Sequence, residues 1–364
     1  MNLENLPYPP VIEELSYEEI LNSIKALFKA NLNDSVELLE SDNYSALIEC
    51  LAYRETLLRA RINAAIKGCM LPYATGDDLD NVVAIYGIQR LAGEYPVADV
   101  EFELSAARSS DIILPAGVIL SNGEDKRATL KNSVTLLAGK TKASGKIELQ
   151  EKTKASKVKC EYIETLLPFV ARAKQISEFS GGADLESDNA LRARAVLSLE
   201  RFSTAGASGA YKFHALSSSA KVKDCVALNG GAGIVNIYIQ SSDESDISDE
   251  VLSYLSSDEK RPLTDSVKVY MATKKNVVVK AVLELTDMLN QANINSCING
   301  AQLPLGQDLN LSFLYSNLHI NGVYRARIEQ IRVDGVSSAI ADIIATPTQY
   351  IEYSYELSLK EAVL

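Results

Sequence analysis

Two long segments near the start of the chain carry apolar residues at helical spacing. The first begins at Ser16, and Glu19 follows it three positions later, as in a capping box. The second segment runs from about Tyr44 to Leu71. Its apolar residues are Leu47, Ile48, Leu51, Leu58, Ile62 and Ile66. A helix of about 25 residues is about 38 Å long, so it would extend beyond the width of one small hydrophobic core. We interpret it either as part of a helical bundle or as a long helix covered by its own domain.

A third, shorter helix is predicted within LPYATGDDLDNVVAIYGIQR, residues 71–90. Thr75 is the predicted cap, and Gly87 is predicted to end the helix. The carboxylates of the first turn complement the helix dipole; they are Asp77, Asp78 and Asp80. An acidic cluster of this kind also suggests a metal site, but helix capping explains it more simply.

From Val97 to about Val170 the period of the apolar residues changes to two, which is typical of half-buried strands. The segment VADVEFELSA alternates in this way, and ILPAGVILSNG is typical of a strand, a turn and a strand. Further strands are predicted at Leu130–Leu137, Lys146–Glu151 and Cys160–Thr165. This part of the chain is therefore predicted to be an antiparallel β-domain.

Helices and strands are mixed in the rest of the chain, after a join at Gly181 and Gly182 that we expect to be flexible. The predicted helices are 188–201, 209–217, 248–258 and 307–318. The predicted strands are 223–228, 233–240, 266–272, 276–286, 324–333 and 349–357. The β-β-α-β-β order from residue 223 to residue 286 indicates a compact α+β sandwich.

These elements predict a multidomain α+β fold, with N-terminal helices followed by an antiparallel β-domain and α+β sandwich domains. A chain of 364 residues also exceeds the roughly 250–300 residues that one core supports. The predicted domains are an N-terminal arm and helical region at 1–92, the β-domain at 93–178, an α+β domain with a β-β-α-β core at 179–275, and a C-terminal α+β domain at 276–364.

The net charge of -12 argues against a nucleic-acid-binding protein, which needs a basic face. A lysine-rich stretch between Lys140 and Lys159 is interrupted by Glu148 and Glu151, so we interpret it as a solvated hairpin face. No apolar run approaches 18 residues, and the first residues lack the pattern of a signal peptide. We therefore expect neither a membrane span nor nucleic acid as a partner.

The five cysteines form no CxxC pair, so neither a zinc site nor a redox motif is predicted. They are Cys50, Cys69, Cys160, Cys225 and Cys297. Cys50 falls within the apolar pattern of the second helix, and we predict that it is a small core residue. A reducing compartment fits this cysteine usage best.

No catalytic, cofactor-binding or metal-ligating residue is predicted, and no cofactor is expected, because each candidate motif lacks a residue that its chemistry needs. Gly139–Thr141 has Val134 where a phosphate-binding loop needs glycine. The segment around Ser208 has Ala210 where a nucleophile elbow needs glycine, and a base would have to come from His214. The segment 229–233, NGGAG, precedes a strand and is predicted to be a hairpin turn. The segment 243–250, DESDISDE, lacks the glycine of a calcium loop and is predicted to cap a helix near residue 248.

Four segments resemble, in order and spacing, the baseplate J-like family of contractile phage tails and related injection machines. They are YATGDDLDNVVAIYGIQR at 73–90, GGADLESDNALRARA at 181–195, STAGASGAYKFHALS at 203–217 and RPLTDSVKVYMA at 261–272. The resemblance is weaker over the last 80 residues or so. The matching residues are interpreted as structural: Gly76, Asp80, Gly87, Arg90, Arg192, Arg194, Thr204, Ala205, Gly206 and Gly209.

The resemblance implies a structural baseplate wedge protein and not an enzyme. Members of such a family assemble around the central hub, with two copies per wedge that together close a ring. The N-terminal helices are implied to join a helical bundle with a neighbouring wedge protein, and the C-terminal part is implied to link wedges. The implied partners are other wedge proteins and a second copy of this chain. The implied location is the virion tail baseplate, with assembly in the host cytoplasm.

Two other functions are weighed against this one. The 17 tyrosines and the β-rich middle of the chain would also suit a receptor-binding or adhesin-like tail protein. A hydrolase that uses Ser208 and His214 is the weakest of the three hypotheses, because its motif is incomplete.

Overall fold

The computed structural model describes residues 12–13, 15–32, 38–39, 42–202, 208–257, 265–286, 294 and 297–362. The chain divides into two compact units. The first comprises residues 1–90 and 187–196, and the second comprises residues 91–186 and 197–364. Helices at the N-terminus are followed by antiparallel and mixed sheets, so the predicted multidomain α+β class is confirmed. The bounds of the four predicted domains stay predictions.

The first unit is built from helices. Their bounds are Tyr17–Leu32 (α1), Asn43–Gly68 (α2), Gly76–Ala84 (α3) and Asp188–Leu197 (α4). The Ser16 hydroxyl accepts the N–H of Glu19 at 3.4 Å, which confirms the predicted cap of α1. Thr75 occupies the N-cap of α3, but its side chain makes no capping hydrogen bond. A turn of 3-10 helix, Ser198–Phe202, continues the chain after α4.

Residues 97–175 form the predicted antiparallel β-domain. Its strands are Val97–Leu104 (β1), Ile112–Leu114 (β2), Ile119–Ser121 (β3), Arg127–Leu130 (β4), Val134–Leu136 (β5), Lys142–Leu149 (β6), Tyr162–Ile163 (β7) and Val170–Gln175 (β8). Six of them pair in the order β7-β3-β4-β6-β1-β8, and β2 pairs with β5. On β1 every second residue is buried, including Val100 and Phe102, and this alternation was the sequence signal for the strand.

The single strand predicted at Leu130–Leu137 is wrong, because the structure contains two short strands there. β4 ends at Leu130 in the six-stranded sheet, and β5 starts at Val134 in the two-stranded sheet. Lys131, Asn132 and Ser133 lie between them, and asparagine and serine favour such turns. β8 was not predicted, because its sequence VARAKQ carries polar residues on both faces.

The expectation of a flexible join at Gly181 and Gly182 is also wrong. Backbone bridges flank the pair, with Val97 opposite Ser180 and Glu94 opposite Ala183. A Cβ atom at Gly182 would lie 2.1 Å from the Thr153 carbonyl oxygen, far inside contact distance. Glycine is needed here because two backbone segments approach closely, and not because the chain must bend freely.

We expect Gly182→Ala to lower the free energy of unfolding of the β-domain by roughly 2–3 kcal/mol, because backbone must move to admit the methyl group. Gly117→Ala is the matched control. Gly117 has a φ of +90° but nothing within 4 Å of a Cβ, so conformational strain alone should cost about 1 kcal/mol. Urea denaturation followed by circular dichroism measures both values. Equal losses for the two variants would contradict the packing argument.

The central part of the second unit is a three-stranded sheet covered by helices. Its elements are Ser208–Leu216 (α5), Val222–Gly231 (β9), Ile234–Ser241 (β10), Ser248–Leu255 (α6) and Ser266–Met271 (β11). The order is β11-β10-β9, with β10 parallel to β11 and antiparallel to β9. Tyr211 of α5 and Val251 of α6 pack in one buried cluster with Ile237 and Ile239 of β10.

The C-terminal part forms a five-stranded sheet. Its elements are Thr273–Leu285 (β12), Ala301–Gln302 (β13), Leu311–Leu318 (α7), Val323–Val333 (β14), Val336–Ser338 (β15) and Gln349–Glu361 (β16). The order is β13-β16-β12-β14-β15. The prediction that the strand at 276–286 completes a β-β-α-β-β sandwich is wrong, because β12 runs parallel to β16 along its whole length.

Candidate functional site

The helical hairpin of α1 and α2 is held by one face of each helix. Ile20 of α1 is buried, as are Ile48 and Ala52 of α2. The side-chain amide of Asn63 accepts the N–H of Glu13 at 3.1 Å and donates to the Glu13 carbonyl at 3.0 Å. At the start of α2, the Asp42 carboxylate accepts the N–H of Tyr44, which satisfies one of the free N–H groups of the helix.

A second face of α2 is apolar and exposed. We call it the leucine face; it consists of Tyr44, Leu47, Leu51, Leu58 and Ile62. Leu47 is 56% exposed, and Leu51 and Leu58 are each 51% exposed. At 3.6 residues per turn the five side chains fall within an arc of about 60°. Of the six apolar residues that predicted this helix, only Ile48 is fully buried in the chain's own core.

A third face of α2 is also exposed, and four of its six residues are small. We call it the small-residue face; it consists of Ala46, Cys50, Tyr53, Leu57, Ala60 and Ala64. Successive members are separated alternately by four and three positions, which is the spacing of a coiled-coil seam. The prediction that Cys50 is a core residue is therefore wrong: Cys50 is exposed.

The three faces of α2 are separated from one another by about 100–130° around the helix axis. The first packs against α1, and the other two leave large apolar side chains such as Leu51 and Tyr53 in solvent. Contiguous apolar surface of this kind is typical of interaction sites on soluble proteins. α2 therefore exposes apolar side chains on two faces besides the one that packs against α1.

Polar contacts fix the segment that follows α2, in a cluster that we call the arginine junction. The Arg90 guanidinium binds Asp80 on α3 at 2.7 Å and Asp188 on α4 at 2.7 Å. Asp188 also accepts the N–H of Gly76, the first residue of α3, at 3.1 Å. The hydrogen bond to Asp80 is the main reason why the pKa of Arg90 lies above its usual range. The hydrogen bond from Gly76, helped by Arg90, holds the pKa of Asp188 below its usual range.

Arg192 and Arg194 of α4 are buried, with 7% and 5% of their surface exposed. Arg192 donates to the carbonyl oxygens of Leu71 and Ala74, both at 2.8 Å, and to the Asn189 side chain at 2.8 Å. Arg194 donates to the Gln89 carbonyl at 2.6 Å. Two charged residues are therefore used to fix backbone, which is a structural task.

The structure thus brings together most of the matching residues that the sequence singled out. Asp80, Arg90, Arg192 and Arg194 make the contacts just described. Gly87 has a φ of +68°, which favours glycine just after α3. Asp188 was not singled out, although its position at the start of a predicted helix was a signal. A Cβ at Gly209 would lie 2.9 Å from Glu200. Thr204, Ala205 and Gly206 lie outside the described residues.

The motifs that were rejected for chemistry lie in ordinary structural positions. Ser208 is the first residue of α5, and His214 is six residues later on the same helix, about 240° around its axis and about 9 Å along it. The segment 229–233 spans the turn between antiparallel β9 and β10, as predicted. Asp246 accepts the N–H of Ser248, the first residue of α6, at 3.0 Å, but the N-cap residue itself, Ile247, makes no side-chain capping hydrogen bond.

Within the described parts of the chain, no group of three or more His, Cys, Asp or Glu side chains is arranged to hold a metal ion. The described helices include none that is long and apolar enough to cross a membrane.

Cys225 is buried, and burial raises the pKa of its thiol to about 12, so the thiol stays protonated at neutral pH.

Two family models match the chain. Residues 40–94 match the baseplate J-like N-terminal domain, and residues 203–271 match the baseplate J-like central domain. The first match contains α2, α3 and Arg90 of the arginine junction. The second match contains α5 and the three-stranded sheet. These ranges contain two of the four segments on which the resemblance was based, and a third except for its last residue, Ala272.

Full-length similarity is also found. Baseplate protein J of Escherichia phage P2 is 26% identical over 368 aligned residues, which cover 96% of this chain and 94% of that protein. Among solved structures, a chain of the anti-feeding prophage baseplate aligns with 97% of this chain and 96% of its own length. That alignment has 11% identity and a TM-score of 0.42.

Proposed function

We propose that this chain, which matches two baseplate J-like family models, is a structural wedge subunit of the baseplate in a contractile phage tail or related injection system. Its proposed task is to assemble around the central hub and to connect neighbouring wedges. Its proposed location is the tail baseplate of the virion, with assembly in the host cytoplasm.

The observation that carries the proposal is the exposed leucine face of α2. In an isolated chain, Leu47, Leu51 and Leu58 remain about half exposed, and this apolar surface contributes no hydrophobic stabilisation. A helical bundle would bury them, and the spacing of the small-residue face supports a second helical contact. We therefore propose that α2 joins a bundle with a neighbouring wedge protein and with a second copy of this chain.

The arginine junction supports the same role in a different way. Arg90 links α3 to α4, and Arg192 links α4 to the segment between α2 and α3. A helix that transmits contacts from a neighbour needs such fixed attachments. The role needs no catalytic residue from the chain.

The C-terminal part is proposed to make the contacts that link wedges and close a ring.

Locating the chain in intact tails tests the proposal. A short epitope tag at the C-terminus, detected by gold-labelled antibody in electron micrographs, should mark the baseplate end of purified tails. Deleting the gene should yield tails without a complete baseplate. Label at the tips of tail fibres, with purified chain binding host cells, would favour the adhesin-like alternative. Purified tails that lack the chain would overturn the wedge role.

A further inference from the structure

The central sheet and the C-terminal sheet are joined through a single residue. β11 ends at Met271 and β12 begins at Thr273, so only Ala272 lies between them. The N–H of Ala272 donates to the Ile239 carbonyl on β10 at 2.8 Å. The N–H of Thr273, one residue later, donates to the Thr348 carbonyl beside β16 at 3.0 Å. Consecutive backbone N–H groups are therefore held by different sheets.

The two sheets have separate hydrophobic cores. One buried cluster is formed by β9, β10 and β11 with α5 and α6, and another is formed by the C-terminal strands with α7. No residue belongs to both clusters as far as the chain is described. Where domains do not share an apolar core, polar contacts set their orientation, and such contacts can be exchanged.

Lys274 makes an ion pair across this joint. Its ammonium group binds the Glu244 carboxylate, in the loop after β10, at 2.6 Å. Within the C-terminal sheet it also binds Glu352 on the neighbouring strand β16 at 3.0 Å. The side chain of Lys274 is only 26% exposed, so solvent screens these contacts incompletely. The hydrogen bond to Glu244 is the main reason why the pKa of Lys274 lies above its usual range.

Glu244 is held in an unusual backbone conformation. Its φ is +63°, in the left-handed region that residues other than glycine rarely adopt. Such strain persists only where surrounding contacts maintain it. The turn is supported by Asp243, which accepts hydrogen bonds from Ser241 and Ser245, both at 2.6 Å. Losing the contact with Lys274 would remove one of the restraints that keep Glu244 in place.

Two other polar links cross the same joint. Lys223 of β9 donates to Gln302 of β13 at 2.9 Å, and Gln302 donates to Glu352 at 3.1 Å. The Leu305 N–H donates to Asp224 of β9 at 3.1 Å. Glu352 is therefore shared between Lys274 and Gln302, so a change at Lys274 reaches both sets of contacts.

From these observations we propose that Ala272 is a hinge and that Lys274 is its latch. While Lys274 binds Glu244 and Glu352 together, the C-terminal sheet keeps one orientation relative to the central sheet. When the bond to Glu244 is broken, the links from Lys223 to Gln302 and from Leu305 to Asp224 are left to hold the joint, and the C-terminal sheet rotates as one body over a wider range about Ala272. The inference concerns the chain itself and does not rest on the proposed wedge role.

The test measures the separation of the two sheets in the full-length chain. Spin labels are attached to Ser253→Cys on α6 and Ser358→Cys on β16, both exposed positions. The exposed native cysteines are replaced by serine in this background; they are Cys50, Cys69 and Cys297. Pulsed electron paramagnetic resonance should give one narrow distance distribution. Lys274→Met should broaden it or add a second distance.

Lys280→Met is the matched control, because Lys280 lies on the same strand but away from the joint. It should keep the narrow distribution. Hydrogen exchange at Ala272 and Thr273 should be several-fold faster in Lys274→Met and unchanged in the control. If Lys274→Met fails to fold, Glu244→Gln removes the same contact more gently. A narrow, unshifted distribution in a folded latch variant would overturn the hinge.

Discussion

A chain in which Leu51 and Leu58 are both replaced by glutamate is expected to fold normally and yet to be absent from assembled baseplates. Both side chains are about half exposed in the isolated chain, so the change should alter its free energy of unfolding by no more than about 0.5 kcal/mol. In a bundle the two carboxylates would lose water without gaining a partner. A penalty of about 3 kcal/mol or more lowers affinity by more than roughly a hundredfold.

Quantitative mass spectrometry of purified tails measures incorporation of the variant, and thermal unfolding of the isolated chain measures its stability. The control places two glutamates elsewhere on α2, as Asn43→Glu with Lys67→Glu, at exposed positions outside the leucine face. Its net charge becomes more negative by three, against two for the Leu51 and Leu58 variant, so it also tests whether added negative charge alone prevents incorporation. This control should be incorporated as well as the wild type. Normal incorporation of the Leu51 and Leu58 variant would show that the leucine face is not an assembly surface.

Arg192→Ala is expected to have the largest effect on stability, a loss of about 3 kcal/mol in the unfolding of the first unit. The substitution leaves the carbonyl oxygens of Leu71 and Ala74 without the donor that each has now. It also leaves a cavity, because the guanidinium is almost completely buried. Arg192→Lys should recover only part of the loss, since one ammonium cannot reproduce the planar geometry that reaches three acceptors.

Denaturation with guanidinium chloride measures this loss in the free energy of unfolding. Hydrogen exchange of the backbone amides in α4 locates the loss in the first unit. Arg54→Ala is the control, because Arg54 is an exposed arginine of α2 and its removal should change stability by less than about 0.5 kcal/mol. Similar losses for the two variants would mean that the contacts of Arg192 with Leu71 and Ala74 contribute little.

Local sequence patterns predicted where the helices and strands lie better than they predicted which elements pack against each other. The apolar spacing of α2 identified the helix, but spacing alone is the same whether an apolar face is covered by its own chain or by a partner. Leu51 and Cys50 are therefore exposed although their pattern is that of a core. The strand β12 was predicted too, but its sheet was not. Its pairing begins with Thr273 opposite Gln349, a contact between residues too distant in sequence for local periodicity to reveal.

The arginine junction, too, was predicted in most of its individual residues but not in the contacts between them. Gly76, Asp80 and Arg90 were singled out because they match a family pattern, and the structure adds the reason for their position. Asp188 completes the arginine junction from 112 positions beyond Gly76. An acidic residue in the first turn of a helix, such as Asp188, is recognisable in the sequence, but its partner on another helix is not. The hinge at Ala272 was also beyond sequence reasoning, because Glu244 and Glu352 converge on Lys274 only after the strands have paired.

The way the chain passes between its two compact units has a mechanical consequence. The backbone crosses from one unit to the other at 90/91, again at 186/187, and a third time at 196/197. A pulling force applied to α2 is therefore carried covalently at 90/91. It is also carried through the contacts of Arg90, Arg192 and Gln89 to the two connections that flank residues 187–196. A proteolytic cut at 90/91 would leave residues 1–90 attached only through such noncovalent contacts, so the arginine contacts would then bear the whole load.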